Sequence, residues 1–538
     1  MIALLRGHRE QAPEAPLLID AGAGEPVIVS RGEFWRRVVS LRAELAARGV
    51  GPGGCIATWL PNWSDALVWQ FAAVAVGAHV IGINTRYNVE EARHVLAFAQ
   101  PSVLAIAHGF LGLDLRTRLQ EAAGTLGAAV PSVAVIAGPR QAAASDADRA
   151  GYDLGAGTWV PSSLAEQDSE LDDDPSRLAA AFTTSGSTGR PKLAGHTVEA
   201  VATHAVACAE AGGWTERSVH VSALPLSGVF AYAPAMATIA AGGVCVLEPA
   251  FDAGLIVADI ERHGVTHLIG GDDIVSRLFE AAARPGALAS LRRLFIADFN
   301  GRSVPLAAEA ERRGMAAAGV YGSSELFALT AFWLPEDPAP GRWMGGGRPV
   351  SAAIGVRAGD PETGAGLPTG EAGELQFRGY NVVDGYLGDP ARRDAVLTAD
   401  GWFRSGDLGT VRADGSFEYL CRAGDALRLR GFLVEPAEIE NRLIEHAGVA
   451  EAKVVGLRPA EGETQAVAFA VLRGEKRPTP GELLAWCAAT LARHKVPQAL
   501  HVIDAMPVTT GTNGTKVRAT QLREWAAALA ADPLARLD

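Results

Sequence analysis

Ten consecutive residues, Thr183-Thr184-Ser185-Gly186-Ser187-Thr188-Gly189-Arg190-Pro191-Lys192, combine hydroxyls, glycines and two cations directly after the apolar run Leu178 to Phe182. The glycines let backbone N–H groups turn towards an anion, the hydroxyls add donors, and Arg190 and Lys192 add positive charge. That composition outlines a polyphosphate cradle, and it equally outlines a flexible surface loop. The spacing is not that of a Walker loop, so P-loop ATPase or kinase chemistry does not follow.

Such a loop needs a scaffold, and the surrounding pattern supplies one. Helical periodicity from Phe34 to Leu45, Ala66 to Val76 and Val89 to Ala99 alternates with short apolar runs at Ile56 to Leu60, His79 to Ile83, Val103 to Ala107 and Val130 to Ile136. Helices alternating with two-sidedly apolar strands predict an α/β fold with largely parallel sheets. Gln141 to Asp174 is rich in Ala, Asp, Gly and Ser and reads as a surface excursion. The uncharged stretch Val229 to Leu247 approaches bilayer-spanning length, but Pro234 and Gly242-Gly243 divide it into a buried helix, a turn and a strand. Near Arg422 the pattern changes to strand Leu427 to Leu429, helix from Pro436, strands near Val454 and Val467, helix from Pro480 and strand His501 to Ile503. We therefore expect domains 1–421 and 422–538, the second a small α+β lobe.

At 538 residues the chain has material for a deep, water-excluding site. Its net charge of −13 argues against a nucleic acid partner. Cys55, Cys208, Cys245, Cys421 and Cys487 form no CxxC pair, which fits a reducing cytoplasm better than a zinc site or a disulfide framework. No signal sequence, amphipathic anchor or integral membrane segment is expected.

Six segments then occur in a telling order: Thr184 to Lys192; Tyr321-Gly-Ser-Ser-Glu325; Gly373-Glu-Leu375 with Gly385-Tyr386; Gly401-Trp-Phe-Arg-Ser-Gly-Asp-Leu-Gly409; Arg422 to Gly431 with Glu435-Pro436; and Asn513-Gly-Thr-Lys516. Over essentially its whole length the chain resembles the superfamily of adenylate-forming enzymes, which includes acyl-CoA synthetases, adenylation domains and beetle luciferases. The resemblance implies an ATP-dependent ligase that joins a carboxylic acid to AMP, releases pyrophosphate and passes the acyl group to coenzyme A. Catalysis of that kind is mostly alignment and neutralisation of phosphate charge.

The resemblance also implies roles. Thr184, Ser185, Gly186, Ser187, Thr188, Gly189 and Lys192 hold the β- and γ-phosphates. Tyr321 stacks on adenine, with Gly322 beside it, and Ser324 reaches the α-phosphate. Glu325 takes Mg²⁺, Asp407 and Arg422 take the ribose, and Lys516 reaches the α-phosphate and acyl carboxylate. Singly, Tyr321 would read as a core aromatic, Glu325 as an exposed acid, Asp407 as a turn residue and Lys516 as a solvated charge.

The small lobe is expected to swivel after adenylation about the position of Gly424, where relatives carry Asp or Lys, bringing the segment of Gly431 to coenzyme A. Gly228 stands where relatives place His or an aromatic, and Asp298-Phe299 stands near a usual Gly-Gly pair. Gly228, Phe230, Asp298 and Phe299, with Tyr232 and Leu326-Phe327, are expected at the acyl pocket and suggest an apolar acid, fatty or aromatic. A ligase that loads a carrier protein and a non-catalytic nucleotide-binding relative are the alternatives, and a homodimer is left open.

Overall fold

A computed structural model describes residues 1–124, 126, 130–162, 171–184, 192–389, 391–423, 427–429, 432–434, 436–457, 464–474, 477–493, 495–511 and 514–531. Ser185, Gly186, Ser187, Thr188, Gly189, Arg190, Gly424 and Gly431 lie outside them, and Lys516 is described by its backbone alone.

Local sequence sets the element boundaries. Asn88 accepts from Glu91 N while the Glu91 carboxylate accepts from Asn88 N, so the helix Val89–Ala99 opens on a reciprocal cap. Thr479 and Glu482 repeat the device at Pro480–Ala488, where proline occupies the first turn. The uncharged stretch becomes the helix Val229–Ala240 and the strand Val244–Leu247. Its helix is buried nearly all round, as an all-apolar helix of a large protein must be. Among the described residues no helix is long and apolar enough to cross a membrane.

Two large sheets organise the first 422 residues. The eight-stranded sheet runs parallel from His79–Gly82 through Cys55–Trp59, Val103–His108 and Ser132–Ala137 to the short edge strand Thr158–Trp159. On its other side it takes Leu178–Thr184 in parallel and then Lys192–Thr197 in antiparallel. The thirteen-stranded sheet has six parallel strands: Pro16–Asp20, Val244–Leu247, Val219–Ser222, His267–Gly271, Arg293–Ala297 and Ala316–Tyr321.

Beyond Tyr321 that sheet turns antiparallel, through Ala331–Phe332, Gly346–Pro349, Phe417–Arg422, Phe403–Val411, Ala372–Arg378 and Gly355–Gly359. The expected parallel pattern therefore holds up to Tyr321 and gives way where hairpins replace crossover helices. The Gln141 to Asp174 excursion is also less external than its composition suggests. It supplies an edge strand whose Trp159 is buried, 5.7 Å from Trp69 and 3.8 Å beneath the Arg48 guanidinium.

Core packing separates the chain near residue 422. One continuous apolar cluster runs from Met1 to Phe417, and two smaller ones begin at Leu427 and Val455. The strands Val449–Leu457, Gln465–Leu472 and Ala499–Val502 carry the smaller clusters with the helices Pro436–Ile444 and Ala519–Ala531. Residues 519–531 gave no reading in the sequence, although Leu522 and Ala526 bury one face of that helix.

Two buried acids stand at neighbouring strand ends. Asp20 accepts from Ser64 N at 2.6 Å and Ser64 Oγ at 2.7 Å, and burial raises its pKa to about 6. Glu248, 2 % exposed, is pushed up to about 8, first by burial and then by a hydrogen bond with Asp259. An unfolded Glu loses its proton near pH 4.5, so between about 4.5 and 8 the folded state holds the extra proton and stability falls as pH rises. Glu248→Gln should therefore flatten the decline of Tm between pH 5 and 8, where one retained proton is worth roughly 1.4 kcal/mol per pH unit. An unchanged slope in thermal melts would count against a protonated Glu248.

Candidate active site

The strand order of the large sheet reverses beside Val219–Ser222, whose neighbours are Val244–Leu247 on one side and His267–Gly271 on the other. Ligands of open α/β sheets bind outside the carboxyl ends of strands at such a point. Ser227 and Gly228, Asp272, Asp298 with Phe299, and Tyr321 all lie at or just past the carboxyl ends of these strands.

The phosphate loop is framed on both sides. Thr184 pairs directly with Lys192 between the two antiparallel strands, so the described residues on either side of the expected loop are neighbours. Thr183 and Thr184 are buried, and Thr183 Oγ1 lies 2.9 Å from the Tyr87 hydroxyl. The Lys192 ammonium sits 5.8 Å from the Tyr386 ring centroid. Burial lowers the Lys192 pKa, the Arg392 charge lowers it further, and the Glu325 carboxylate opposes both. A cation facing Glu325 from the base of the loop suits an anionic substrate with a counter-ion between them.

Glu325 stands in the short 3-10 helix Ser324–Leu326, which breaks into an unusual backbone. Phe327, Ala328 and Leu329 have φ of 60°, 51° and 34°, a left-handed run of non-glycine residues costing roughly 1–2 kcal/mol for each residue. Surrounding donors hold it. The His204 imidazole donates to Ala328 O at 3.1 Å, Asn381 Nδ2 to Leu326 O at 3.0 Å, and Ala328 N to Ser323 O at 2.8 Å. His196 donates to Ser324 O at 2.7 Å. Burial lowers both imidazoles to about 4, so they are neutral donors across the working pH range.

Gly322 is required by this turn. A Cβ there would lie 2.6 Å from Ala328 C and from Leu329 N, both backbone atoms. Gly322→Ala should destabilise the protein by about 1–3 kcal/mol and displace Glu325. Thermal melts and pyrophosphate release check it, and a stability change below about 0.5 kcal/mol would refute the packing argument.

The expected nucleoside end centres on Asp407, which is 7 % exposed. Its Oδ2 accepts from the Tyr321 hydroxyl at 2.6 Å, and its Oδ1 from Arg422 Nη1 at 2.8 Å across the paired strands. Burial first, and then the Asp407 charge, hold the Tyr321 phenol well above its usual pKa, so it carries the proton. The Tyr321 ring stacks on Phe377 at 5.4 Å and also meets Phe417 edge to face at 5.2 Å and Tyr419 at 5.8 Å.

Glu374, quoted in the sequence only as part of a motif, proves to be a positioning residue. Nearly buried, it accepts from Gly406 N at 3.1 Å and Arg404 Nε at 2.7 Å, fixing the turn that presents Asp407. A charged residue inside the otherwise inward-facing Leu375 and Phe377 strand was the available signal. Tyr87, Phe377, Tyr386 and Asn381 carried no such signal, because their roles arise only from packing.

The acyl-pocket residues divide. Phe230 is buried and meets Phe299 edge to face at 6.0 Å, and Phe299 seats against Gly271, where a Cβ would lie 2.8 Å from its ring. Gly228 is the N-cap of the Val229–Ala240 helix. Asp298 is exposed, and its carboxylate caps Ser303 N at 3.2 Å rather than facing the Phe230 wall alone. From the small lobe, the hairpin Val508–Gly511 and Gly514–Val517 places Lys516 opposite Thr509. That hairpin comes within 8 Å, Cα to Cα, of the helix Asp272–Ala281.

The profile described as AMP-binding enzyme matches residues 5–387, and that described as AMP-binding enzyme C-terminal domain matches residues 438–512. The chain belongs to the AMP-binding enzyme family. Among its curated relatives are a feruloyl-CoA synthase of Amycolatopsis sp, 32% identical over 89% of this chain and 90% of that one, and a sulfoacetate–CoA ligase of Cupriavidus necator, 28% identical over 94% of each. ATP-bound MatB from Rhodopseudomonas palustris has the same fold, with a TM-score of 0.81 and 24% identity over 97% of this chain and 98% of that one. As an AMP-binding enzyme whose curated relatives are CoA ligases, the chain has acid–thiol ligase as its reaction class. The named acids of these relatives differ widely, so family membership does not choose among acids.

Proposed function

We propose that the protein activates an apolar carboxylic acid, fatty or aromatic, with ATP and transfers the acyl group to coenzyme A. The observation that carries this reading is Asp407 held between the Tyr321 hydroxyl and Arg422, with Glu325 and Lys192 opposing each other beyond it. In the first step a carboxylate oxygen attacks the α-phosphorus, the bond to the bridging oxygen breaks and pyrophosphate leaves. In the second the coenzyme A sulfur attacks the acyl carbon, AMP leaves and the thiol proton is released.

Thr184 and Lys192, with residues 185–189, hold the β- and γ-phosphates, and Ser324 meets the α-phosphate. Asp407 and Arg422 orient the ribose, and Tyr321 receives adenine. No group of three or more His, Cys, Asp or Glu side chains among the described residues could hold a metal ion by itself. Glu325 fits Mg²⁺ in the way that ion prefers, one carboxylate with the remaining ligands from phosphates and water. The ion supplies charge neutralisation on the leaving pyrophosphate. Lys516 neutralises charge at the α-phosphate, and the division at 421/422 lets the small lobe swivel about Gly424 to bring Gly431 to coenzyme A. A cytoplasmic location suits five cysteines that form no disulfide.

The test is purified protein with ATP, Mg²⁺ and a panel of carboxylic acids, scored first for pyrophosphate and then for acyl-CoA. Pyrophosphate with at least one acid and acyl-CoA on adding coenzyme A are expected. Adenylate without acyl-CoA would move the reading to carrier-protein loading, and no pyrophosphate with any acid would leave only nucleotide binding.

A further inference from the structure

Between the eight-stranded sheet and the helices Ser64–Ala75 and Val229–Ala240 lies a cavity of about 20 Å³, room for one small group rather than a chain. Its walls include Thr58, Gly82, Phe182, Ser227 and Tyr232. Ser227 Oγ and the Tyr232 hydroxyl are both buried with no hydrogen-bond partner among the described residues. Tyr232 is 3 % exposed, and burial keeps its phenol protonated. The wall amide Gln70 is already committed, donating to Ala179 O at 2.8 Å. Buried hydroxyls left unpaired are costly, so two of them lining one space point to a polar occupant.

The cavity backs onto the candidate active site. Ser227 and Tyr232 flank Gly228 at the start of the helix that follows the switch-point strand. Tyr232 packs on Phe182 at 5.3 Å and on Phe327 at 6.1 Å; Phe182 precedes Thr184 by two residues, and Phe327 follows Glu325 by two. Gly82 lets the backbone of Ser227 approach this closely, for a Cβ there would lie 2.6 Å from Ser227 Cα.

We propose that this cavity is the blind end of the acyl pocket and receives a hydroxyl, ether or carbonyl oxygen at the far end of the acid. The proposal rests on the ligase reading above and narrows its substrate to aromatic or short acids bearing a distal oxygen. The Tyr232 hydroxyl donates to that oxygen, and Ser227 donates or accepts as the oxygen requires. The neighbouring rings of Phe182, Tyr232 and Phe327 form an apolar wall, while the volume excludes an alkyl tail of several methylenes.

Matched acids with and without a 4-hydroxyl test it: benzoic, 3-phenylpropanoic and 3-phenylpropenoic acids against their 4-hydroxy forms, read as kcat/KM for pyrophosphate release. A site that hydrogen-bonds a substrate hydroxyl rejects the analogue lacking it, so at least one pair should differ by about tenfold or more in favour of the oxygenated acid. Tyr232→Phe and Ser227→Ala should each shrink that ratio to within about threefold. Equal use of both members of every pair by the unaltered protein would overturn the proposal, the cavity then holding only water. So would a ratio that survives both substitutions. Pyrophosphate release in those cases leaves the ligase reading standing. Its absence with every acid, in contrast, sinks the ligase reading and this proposal with it.

Discussion

Lys516→Ala should lower acyl-adenylate formation by about 10²–10³-fold, the scale on which a single preorganised charge-stabilising group acts. The same variant should convert supplied acyl-adenylate and coenzyme A to acyl-CoA at a rate within a few-fold of the unaltered protein. The contrast follows from where the lysine strand lies, on a small lobe with its own cores yet close to the helix Asp272–Ala281 that follows the strand His267–Gly271. A lobe that leaves after the first step takes its lysine with it. Pyrophosphate release and a thioester assay on supplied adenylate read the two steps separately, and equal loss of both would remove the basis for a swivel.

Asp407→Ala should produce the second large loss, in kcat/KM for ATP. A hydrogen bond to a charged group is worth about 1.5–3 kcal/mol, and the carboxylate is proposed to serve two ribose hydroxyls while holding Tyr321 and Arg422. The sum corresponds to a fall of about 10²-fold or more. Asp407→Asn keeps one acceptor oxygen but turns an N–H towards either Tyr321 or Arg422, so it should fall between the two. Calorimetry with AMP checks the order, and Asp407→Asn binding as tightly as the unaltered protein would exclude Asp407 from the nucleotide site. Thermal melts separate that loss from unfolding, because a partly buried ion pair with Arg422 disappears as well.

The sequence made legible what depends on periodicity and on residues of narrow use. The helix Val89–Ala99 was legible from its periodicity and the helix from Pro480 from the proline at its start, and Thr184, Glu325, Asp407 and Lys516 stood in motifs whose order carried the family resemblance. Features created by packing stayed hidden. The left-handed run at Phe327–Leu329 uses residues that ordinarily avoid that conformation, and only the donors from His204 and Asn381 make it tenable. The antiparallel strands after Tyr321 lack the helix–strand alternation that betrays parallel sheets. Glu374 looked like a motif filler until its oxygens were found on Gly406 N and Arg404.

The thirteen-stranded sheet also sets an order of events during synthesis. Pro16–Asp20 is among the first strands to leave the ribosome, yet Leu18 pairs with Cys245, on a strand made 227 residues later. At 5–20 residues per second that interval is roughly 11–45 s. Throughout it, Leu17, Leu18 and Ile19, all buried in the finished protein, lack that neighbouring strand and have the hairpin partner Val27–Ser30 and the helices Arg31–Ala47 and Ser64–Ala75 as their early partners. The nascent chain thus carries an apolar hairpin without its sheet, a surface that trigger-type chaperones or premature association would meet before any nucleotide site exists.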